Sequence, residues 1–382
     1  MKALVIGGGI IGASVAWRLA SERVEVIVLE RARLGREASW AAGGLIAPQG
    51  EADRPGPFFD LCVKAKNAFD AIVERLTRES GIDPEYDEHG VLYAAFNEEE
   101  RAELKARARW QREANAVVEE LDPRDALRLA PSLSPQVVHA LHMPTNRRVE
   151  NRRLTQAYVN AATRAGADFR EGAAVEALVT SGGRATGVRL NDGARVEGDL
   201  VVVAAGAWSG EIRGLEGDGI RFFPVRGQIL CFDARPGILG PSLFSARGIL
   251  VPRRDGRLLA GSVFEEAGFD KSVTLGGMRH VAQAAAELMP SLAEIPFREA
   301  WAGLRPATDD LLPVLGPSPT VANVLYASGH FRSGIMLSAL TGEIVADLAM
   351  GRTPPLDLAP FLPERFRSPV QRQRFKMTAL RV

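Results

Sequence analysis

The chain has 382 residues, which is long enough for two domains and a large hydrophobic core. Its 47 Lys and Arg residues balance 47 Asp and Glu residues, so no net charge attracts it to nucleic acid or to an anionic membrane. The 2 cysteines, Cys62 and Cys231, have neither metal-ligand nor CxxC spacing, and no apolar run approaches the ~20 residues that span a bilayer. Because Met1-Lys2 leads directly into an apolar run without a signal-peptide pattern, we expect a cytoplasmic protein with no disulfide framework and no metal site.

The first thirty residues have the pattern of a dinucleotide-binding βαβ unit. An apolar run ends in Gly7-x-Gly9-x-x-Gly12 and leads into a helical pattern, and a second apolar run, residues 24–29, ends in Glu30. Gly7 permits a tight turn, Gly9 lets a pyrophosphate approach the backbone, and Gly12 lets helix and strand pack closely. Glu30 follows Gly12 by 18 residues, near the ~20 expected for an acid that accepts a ribose hydroxyl. The motif predicts a dinucleotide site but leaves NAD and FAD both open.

A stretch of small residues follows, Ser39-Trp40-Ala41-Ala42-Gly43-Gly44-Leu45. Small side chains let a bulky ligand lie against the backbone, and the Ser39 hydroxyl can donate to a phosphate. The alternative is an ordinary Gly/Ala loop. Its position directly after the βαβ unit favours a ligand.

The middle of the chain alternates between helical and strand patterns. Helices are predicted over residues 58–79, 98–116 and 149–166, with a short helix at Asp122-Pro123 and a strand over 91–96. Three strand patterns follow at 173–180, 186–190 and 194–197. The apolar run that starts at Leu200 and passes into Gly206 is typical of a parallel strand covered on both faces, so we expect it in the nucleotide-binding sheet.

The last third predicts strands over 222–232 and 248–264, a helix over 275–289, a strand over 323–328 and a final long helix over 335–350. The strand and the final helix are joined by Gly329-His330-Phe331-Arg332-Ser333-Gly334. Residues 366–382 are expected to form a basic, flexible tail.

Taken together, four segments resemble the FAD-dependent amine oxidoreductase family that contains D-amino-acid oxidase, sarcosine oxidase and glycine oxidase. These are the N-terminal GGGIIG with Glu30, the SWAAGGL stretch, the VVVAAGAWS strand, and the pair at 301–306 and 329–335. The last pair is most similar to glycine oxidase, which supplies the glycine-derived imine for the thiazole ring of thiamine. The similarity runs from residue 1 to about 360, in the family's order.

The resemblance implies an α/β fold: a Rossmann-like FAD-binding domain plus a second domain with an antiparallel or mixed sheet flanked by helices, as in D-amino-acid oxidase. It implies a discontinuous FAD-binding domain at 1–85, 150–220 and 320–365. The substrate-binding domain would comprise 86–149 and 221–319.

The resemblance also implies which residues hold FAD. The SWAAGGL stretch would run beside the pyrophosphate and flavin, and Val175 would contact the adenine. The final helix would point its N-terminus at the flavin N1–C2=O edge, where negative charge develops. The expected cofactor-binding residues are Gly7, Gly9, Ile10, Ile11, Gly12, Glu30, Arg31, Ser39, Ala41, Ala42, Gly43, Gly44, Leu45, Val175, Ala205, Gly206, Trp208, Gly329, His330, Phe331, Arg332, Ser333, Gly334 and Ile335.

Arg305 and Arg332 are the predicted catalytic and substrate-binding side chains, because an amino-acid carboxylate in an apolar pocket needs a cation and Arg binds it in a bidentate fork. The alternative for either Arg is an ion pair. In glycine oxidase the position of Arg305 makes the carboxylate pair, and that of Arg332 lines the site near the flavin. The family transfers hydride from a neutral amine to N5 without a protein base, so His330 is expected to contact flavin or to be structural.

The chain departs from its family at several pocket positions. Ile249 stands where glycine oxidase has a tyrosine that helps hold the carboxylate, and Phe264 is expected to add another apolar wall. The site should therefore be more apolar, which counts against glycine, and a bulkier, N-alkylated or apolar D-amino acid should fit as well as glycine or better. The lysine and the FAD-linking cysteine of sarcosine oxidases are replaced by the Leu258-Leu259-Ala260 stretch and Pro306, so FAD should be non-covalent.

The expected function is FAD-dependent oxidation of glycine or another small amino acid or amine to an imine and then a 2-oxo acid, with O2 reduced to H2O2. Two alternatives stay open: a D-amino-acid dehydrogenase that uses a quinone or another acceptor, and a non-catalytic flavin-binding sensor or subunit. A homo-oligomer is compatible with the sequence.

Overall fold

The computed structural model describes residues 1–368, 370 and 372–373. The helices are α1 (Ile10–Ser21), α2 (Ala38–Ala41), α3 (Pro48–Glu51), α4 (Pro57–Ser80), α5 (Glu98–Glu113), α6 (Pro123–Leu129), α7 (Asn151–Arg164), α8 (Leu275–Leu288) and α9 (Gly334–Ala349). The strands are β1 (Lys2–Ile6), β2 (Glu25–Leu29), β3 (Leu45–Ile46), β4 (Val91–Ala95), β5 (Glu119–Leu121), β6 (His139–Met143), β7 (Arg147–Arg148), β8 (Asp168–Arg170), β9 (Val175–Ser181), β10 (Arg184–Leu190), β11 (Arg195–Glu197), β12 (Leu200–Val203), β13 (Phe223–Asp233), β14 (Ser242–Phe244), β15 (Ile249–Pro252), β16 (Arg257–Gly261), β17 (Phe297–Ala307), β18 (Val314–Pro317) and β19 (Val324–Ser328).

The first sheet has the strand order β18-β19-β12-β1-β2-β8. All neighbouring pairs are parallel except β18 with β19 at one edge. The apolar runs of β1 and β12 are continuous because both faces of this sheet are covered. Helices α1, α4, α7 and α9 pack on one face, and the small antiparallel sheet β9–β11 covers the other. The carboxyl ends of β1, β2 and β12 meet at one edge, where open α/β sheets bind ligands.

The second sheet has the order β17-β13-β16-β15-β14-β4-β6-β5 and is mostly antiparallel. One face packs against α6 and α8 in a core of Leu, Val and Ala side chains. The opposite face carries the smaller apolar cluster around Trp301 and Ile229, next to α2. The molecule therefore has the α/β architecture that the sequence predicts.

The sequence predicts the long helices well, but it misses β17. This strand contains Gly303 and Pro306, which interrupt a strand pattern. Pro306 is tolerated because β17 is an edge strand, and its register partner on β13 is also a proline, Pro224.

The structure departs from two predicted boundaries, the end of the substrate-binding segment and the start of the C-terminal tail. Val314–Pro317 falls within the segment 221–319 expected in the substrate-binding domain, yet it pairs with β19 in the first sheet. Phe366, the expected start of the tail, is only 8% exposed and packs in the core beside β9–β11. Gln373 also donates its backbone N–H to the Asp309 carbonyl (2.7 Å). Residues 369, 371 and 374–382 of the predicted tail lie outside the described residues.

Within residues 1–368, no helix combines the length and apolar character that crossing a bilayer requires.

Candidate active site

A cavity of about 1440 Å³ lies where the carboxyl ends of the first sheet face the second sheet. It exceeds the ~300–1,000 Å³ of ordinary ligand pockets, so it has room for a large cofactor and a substrate together. The N-termini of two helices, α1 and α9, open on it.

The glycines of the N-terminal motif build one end of this cavity. Gly7 has φ +105°, a value that favours glycine, and its amide donates to the Leu29 carbonyl (2.9 Å). A Cβ on Gly12 would collide with the Gly7 carbonyl oxygen, so Gly12 permits α1 to lie against the turn. Gly9 and the next two residues line the cavity with the first turn of α1. The N–H groups of such a turn attract a phosphate.

Glu30 and Ser39 are fixed beside this turn. The Glu30 carboxylate accepts the backbone N–H of Gly8 (2.7 Å) and that of Ala32 (2.9 Å), and it lines the cavity. Ser39 Oγ accepts the N–H of Ile10 (2.9 Å), so its own proton remains available for a ligand. The two side chains supply an acceptor for ribose and a donor for phosphate.

The stretch of small residues after Ser39 is held rigidly by side chains from other elements. Asn151 Nδ2 donates to the Ser39 carbonyl (2.7 Å), Trp301 Nε1 donates to the Ala41 carbonyl (3.1 Å), and Arg253 Nη2 donates to the Gly43 carbonyl (3.1 Å). Residues 38–41 form the short helix α2, so the stretch is more regular than a loop. Ala41, Ala42, Gly43 and Gly44 line the cavity, and such small residues leave room for the flat face of a ring system.

The N-terminus of α9 opens on the cavity near the second sheet. Ser333 occupies the N-cap position but does not cap the helix, because its hydroxyl lies 3.3 Å from a Glu51 carboxylate oxygen. Gly334 and Ile335 line the cavity with N–H groups of the first turn. This turn can stabilise negative charge on a ligand.

FAD fits these residues, since its pyrophosphate, ribose and flavin each require a feature found here. The α1 turn with Ser39 suits the pyrophosphate, Glu30 suits the ribose, and the α9 turn suits the flavin edge that becomes negative. At the end of the cavity where the resemblance implies the adenosine, Trp208 stacks on Phe269 (centroids 5.3 Å apart). The Arg31 guanidinium lies 4.3 Å from the centre of the Trp208 ring.

Most predicted site residues line this one cavity: Gly7, Gly9, Ile10, Ile11, Glu30, Arg31, Ser39, Ala41, Ala42, Gly43, Gly44, Leu45, Val175, Ala205, Gly206, Trp208, Ile249, Phe264, Arg305, His330, Phe331, Arg332, Gly334 and Ile335. Gly12, Gly329 and Ser333 lie behind its wall. Gly12 supports the α1 turn and Ser333 contacts Glu51.

Arg305 is a cation of the cavity wall without an acidic partner among residues 1–368. Its guanidinium donates to the Val263 carbonyl (3.1 Å) and to the Ser262 hydroxyl, and it lies 4.4 Å from the centre of the Phe264 ring. Burial and the nearby Arg332 charge lower the pKa of Arg305 to about 10, so it stays charged at neutral pH. An anion in the cavity can satisfy this charge.

Arg332 lines the same cavity but is already neutralised. Its Nε donates to Glu51 Oε2 (2.7 Å), and its Nη2 donates to the Gly50 carbonyl (3.2 Å). Burial opposes its charge, yet the Glu51 carboxylate raises the pKa of Arg332 overall. The ion pair expected as the alternative for either Arg is therefore found at Arg332, whereas Arg305 has no acidic partner among residues 1–368.

Glu51 is a cavity residue that the sequence does not single out. It ends the four-residue helix α3, and its partner Arg332 is 281 residues away in the chain. The one available signal was its position six residues after the small-residue stretch.

His330 is buried, and its Nε2 lies 3.0 Å from the Thr341 hydroxyl of α9. Burial lowers the pKa of His330 to about 3, so the imidazole is neutral at physiological pH. A neutral, hydrogen-bonded ring favours the expected structural or flavin-contacting role over that of a charged acid.

A cover segment, residues 262–274 between β16 and α8, connects the two ends of the cavity. It begins with Ser262 and Phe264 at the Arg305 end. Farther along, Phe269 stacks on Trp208, and Lys271 forms an ion pair with Glu37 (2.9 Å). The segment thus lies over both the candidate substrate pocket and the candidate adenosine pocket.

Comparison with known proteins agrees with this geometry. The family model described as DAO, FAD dependent oxidoreductase, matches residues 2–348. A glycine oxidase from Pseudomonas putida is 34% identical over 366 residues, which cover 95% of this chain and 98% of the relative.

Solved structures show the same similarity. A crystal structure of glycine oxidase from Geobacillus kaustophilus has a TM-score of 0.91 and 32% identity, covering 95% of this chain and 99% of that one. A crystal structure of iminodiacetate oxidase from Chelativorans sp. BNC1 has a TM-score of 0.84 and 29% identity, covering 94% and 98%.

Proposed function

The chain belongs to the DAO family of FAD-dependent oxidoreductases and is an FAD-dependent amino-acid oxidase, and from this premise we propose the substrate and the roles of its residues. We propose that it oxidises glycine or a small N-substituted or apolar amino acid, with O2 as electron acceptor. The relatives named glycine oxidase and iminodiacetate oxidase support this range. For glycine the balanced reaction is glycine + O2 + H2O giving glyoxylate, NH3 and H2O2.

The observation that carries the proposal is Arg305, a partly buried cation with no acidic partner among the described residues, beside an apolar wall. Ile249 and Phe264 line the cavity, and neither side chain can donate a hydrogen bond. A substrate carboxylate on Arg305 would satisfy the cation, and the Phe264 ring would shield the pair from water. Charge-assisted hydrogen bonds of this kind are strong in such surroundings.

The other residues prepare the site for oxidation of an amine. FAD, when bound, accepts the hydride that leaves the substrate α-carbon. The apolar wall favours the neutral amine, whose nitrogen lone pair assists loss of that hydride. The first turn of α9 would stabilise the negative charge of a reduced flavin, and the neutral His330 ring would leave that task to the helix N-terminus. Neither Cys62 nor Cys231 lines the cavity within residues 1–368, which supports non-covalent FAD.

Anaerobic mixing of the FAD-loaded protein with a panel of glycine, sarcosine, N-ethylglycine and D-alanine tests the proposal. We expect at least one of them to bleach the flavin absorbance, and O2 to restore it with one equivalent of H2O2. Bleaching that dyes reverse but O2 does not would replace the oxidase with the dehydrogenase alternative. An unbleached flavin with every amine would favour the non-catalytic alternative.

A further inference from the structure

Three side chains form a row across the cavity face of the second sheet. Phe244 on β14 is paired in register with Ile249 on β15 and with Tyr93 on β4. Side chains in register point to the same face of a sheet, and all three line the cavity. The row runs from the Arg305 side of the pocket toward α5.

Tyr93 is the polar member of this row. Its ring packs on Phe244 (centroids 5.8 Å apart), and the Arg107 guanidinium lies 5.4 Å from its centre. Among residues 1–368 its hydroxyl has no hydrogen-bond partner, although the side chain faces the cavity. Burial raises the pKa of Tyr93, so the hydroxyl is neutral and can donate.

A ligand that contacts both Arg305 and Tyr93 must be longer than glycine. The Arg305 guanidinium lies against Ser262, directly after β16, and the strand order from there is β16-β15-β14-β4. With neighbouring strands ~4.8 Å apart, Tyr93 is about 14 Å across the sheet from β16. The side chains between them, Ile249 and Phe244, are apolar. A ligand that reaches both ends needs a carboxylate, an apolar middle and a terminal acceptor.

The charges near Tyr93 favour an uncharged acceptor over a second carboxylate. Arg107 is paired with Asp53 (3.0 Å), and Arg332 is paired with Glu51 (2.7 Å). Among residues 1–368, the two cations that act on the hydroxyl are thus already paired, and a second anion would face the carboxylates of Asp53 and Glu51.

We propose that Tyr93 selects substrates, by donating a hydrogen bond to an uncharged acceptor at the far end of an amino acid whose carboxylate binds Arg305. The acceptor belongs to a substituent on the nitrogen or the α-carbon, and Ile249 and Phe244 contact the apolar atoms that precede it. This inference rests on the proposed function, because it uses Arg305 as the carboxylate site. Tyr93 thereby supplies a hydroxyl two strands away from Ile249. Ile249 stands at the position where the resemblance to glycine oxidase implies a tyrosine.

Isosteric substrates that differ in one atom test this role. N-(2-methoxyethyl)glycine has an ether oxygen where N-butylglycine has a methylene, and N-(3-methoxypropyl)glycine with N-pentylglycine repeats the comparison one carbon farther out. In the Tyr93→Phe variant, kcat/KM for the ether divided by kcat/KM for the alkyl compound should fall about 2- to 10-fold for the chain length that fits. This is the change expected when one hydrogen bond is lost. The change should lie mainly in KM.

Tyr86→Phe is the matched control, because the Tyr86 hydroxyl bonds to Asp70 and the residue does not line the cavity. Its ether-to-alkyl ratios should equal those of the unmodified protein. Ratios that Tyr93→Phe leaves unchanged at both chain lengths would overturn the proposal, provided that the variant retains its FAD.

A binding measurement separates this inference from the proposed function. (2-Methoxyethylthio)acetate and (butylthio)acetate carry sulfur in place of the amine, and their dissociation constants can be read from the flavin spectrum without turnover. Tyr93→Phe should raise the dissociation constant of the ether by the same factor of about 2 to 10 and leave that of the alkyl compound unchanged. If no amine bleaches the flavin, the proposed function fails. If both thioacetates respond alike to Tyr93→Phe, the role of Tyr93 fails.

Discussion

At the scale of single residues, the site depends on the different partners of two arginines. Arg332 has Glu51 as its partner, whereas Arg305 has a carbonyl, a hydroxyl and an aromatic ring. A Cβ at position 227 would overlap the Arg305 guanidinium, so Gly227 gives it space against β13. The sheet therefore holds Arg305 at a defined position, and no acidic partner compensates its charge among residues 1–368.

Replacing Arg305 by Met should raise KM for the best amino acid about 10- to 100-fold, since hydrogen bonds to a charged group contribute ~1.5–3 kcal/mol. Steady-state kinetics measure the change. Arg298→Met is the control, because Arg298 lies on the same strand but pairs with Asp233 at the surface. Equal KM values in the two variants would contradict the assignment of the carboxylate to Arg305.

The low pKa of His330 predicts how stability depends on pH. The folded pKa is about 3, below the ~6.5 of an unfolded histidine, so the unfolded chain binds the proton first as pH falls. Above pH ~6.5 His330 leaves the free energy of unfolding unchanged. Below pH ~6.5 it lowers the free energy of unfolding by ~1.4 kcal/mol per pH unit. Denaturant unfolding at several pH values should therefore show a shallower decline for His330→Gln between pH 6 and 4. Parallel declines would mean that His330 titrates normally.

At the scale of elements, the contact between α1 and the β1 turn positions the candidate phosphate site. Gly12→Ala would place a methyl group against the Gly7 carbonyl, so it should lower both FAD content and the melting temperature. Gly276→Ala in α8 meets nothing within 4 Å and should stabilise the protein by about 0.5–1 kcal/mol. The ratio of flavin to protein absorbance measures the FAD content of each variant, and thermal unfolding measures its melting temperature. Normal FAD content in Gly12→Ala would show that α1 can shift without harm.

The elements also show what the sequence could predict. The βαβ unit, α9 and the small-residue stretch have local patterns, so their contribution to the cavity was predictable. Glu51 and Tyr93 have no such pattern: Glu51 matters through a partner 281 residues away, and Tyr93 through strand pairing with β14. β17 was not predicted because Gly303 and Pro306 interrupt its strand pattern. The strand tolerates both residues because it lies at the edge of the sheet.

At the scale of the whole molecule, the cover segment links the second sheet to the adenosine end of the cavity. Phe269→Ala removes its stacking on Trp208, and Lys271→Met removes its ion pair with Glu37. Aromatic pairs contribute ~0.5–1.5 kcal/mol and exposed ion pairs ~0–1 kcal/mol. The double variant should therefore release FAD several-fold faster.

Recovery of flavin fluorescence after dilution measures this release. Lys66→Met is the control, since Lys66 pairs with Asp70 on α4, away from the cavity. Release rates that match in the double variant and the control would show that residues 262–274 do not retain the cofactor.

The order of strands in the first sheet has a consequence during protein synthesis. β1 lies between β2 and β12, and the sheet is completed only by β18 and β19 near residue 328. About 300 residues separate Glu30 from α9. At a synthesis rate of ~5–20 residues per second, the ribosome needs roughly 15–60 s to make them. The apolar edge of β1 stays open until β12 is made, and the edge of β12 then stays open until β19 is made. Chaperones that shield such edges should therefore raise the yield of this protein, and slow translation of the last third should lower it.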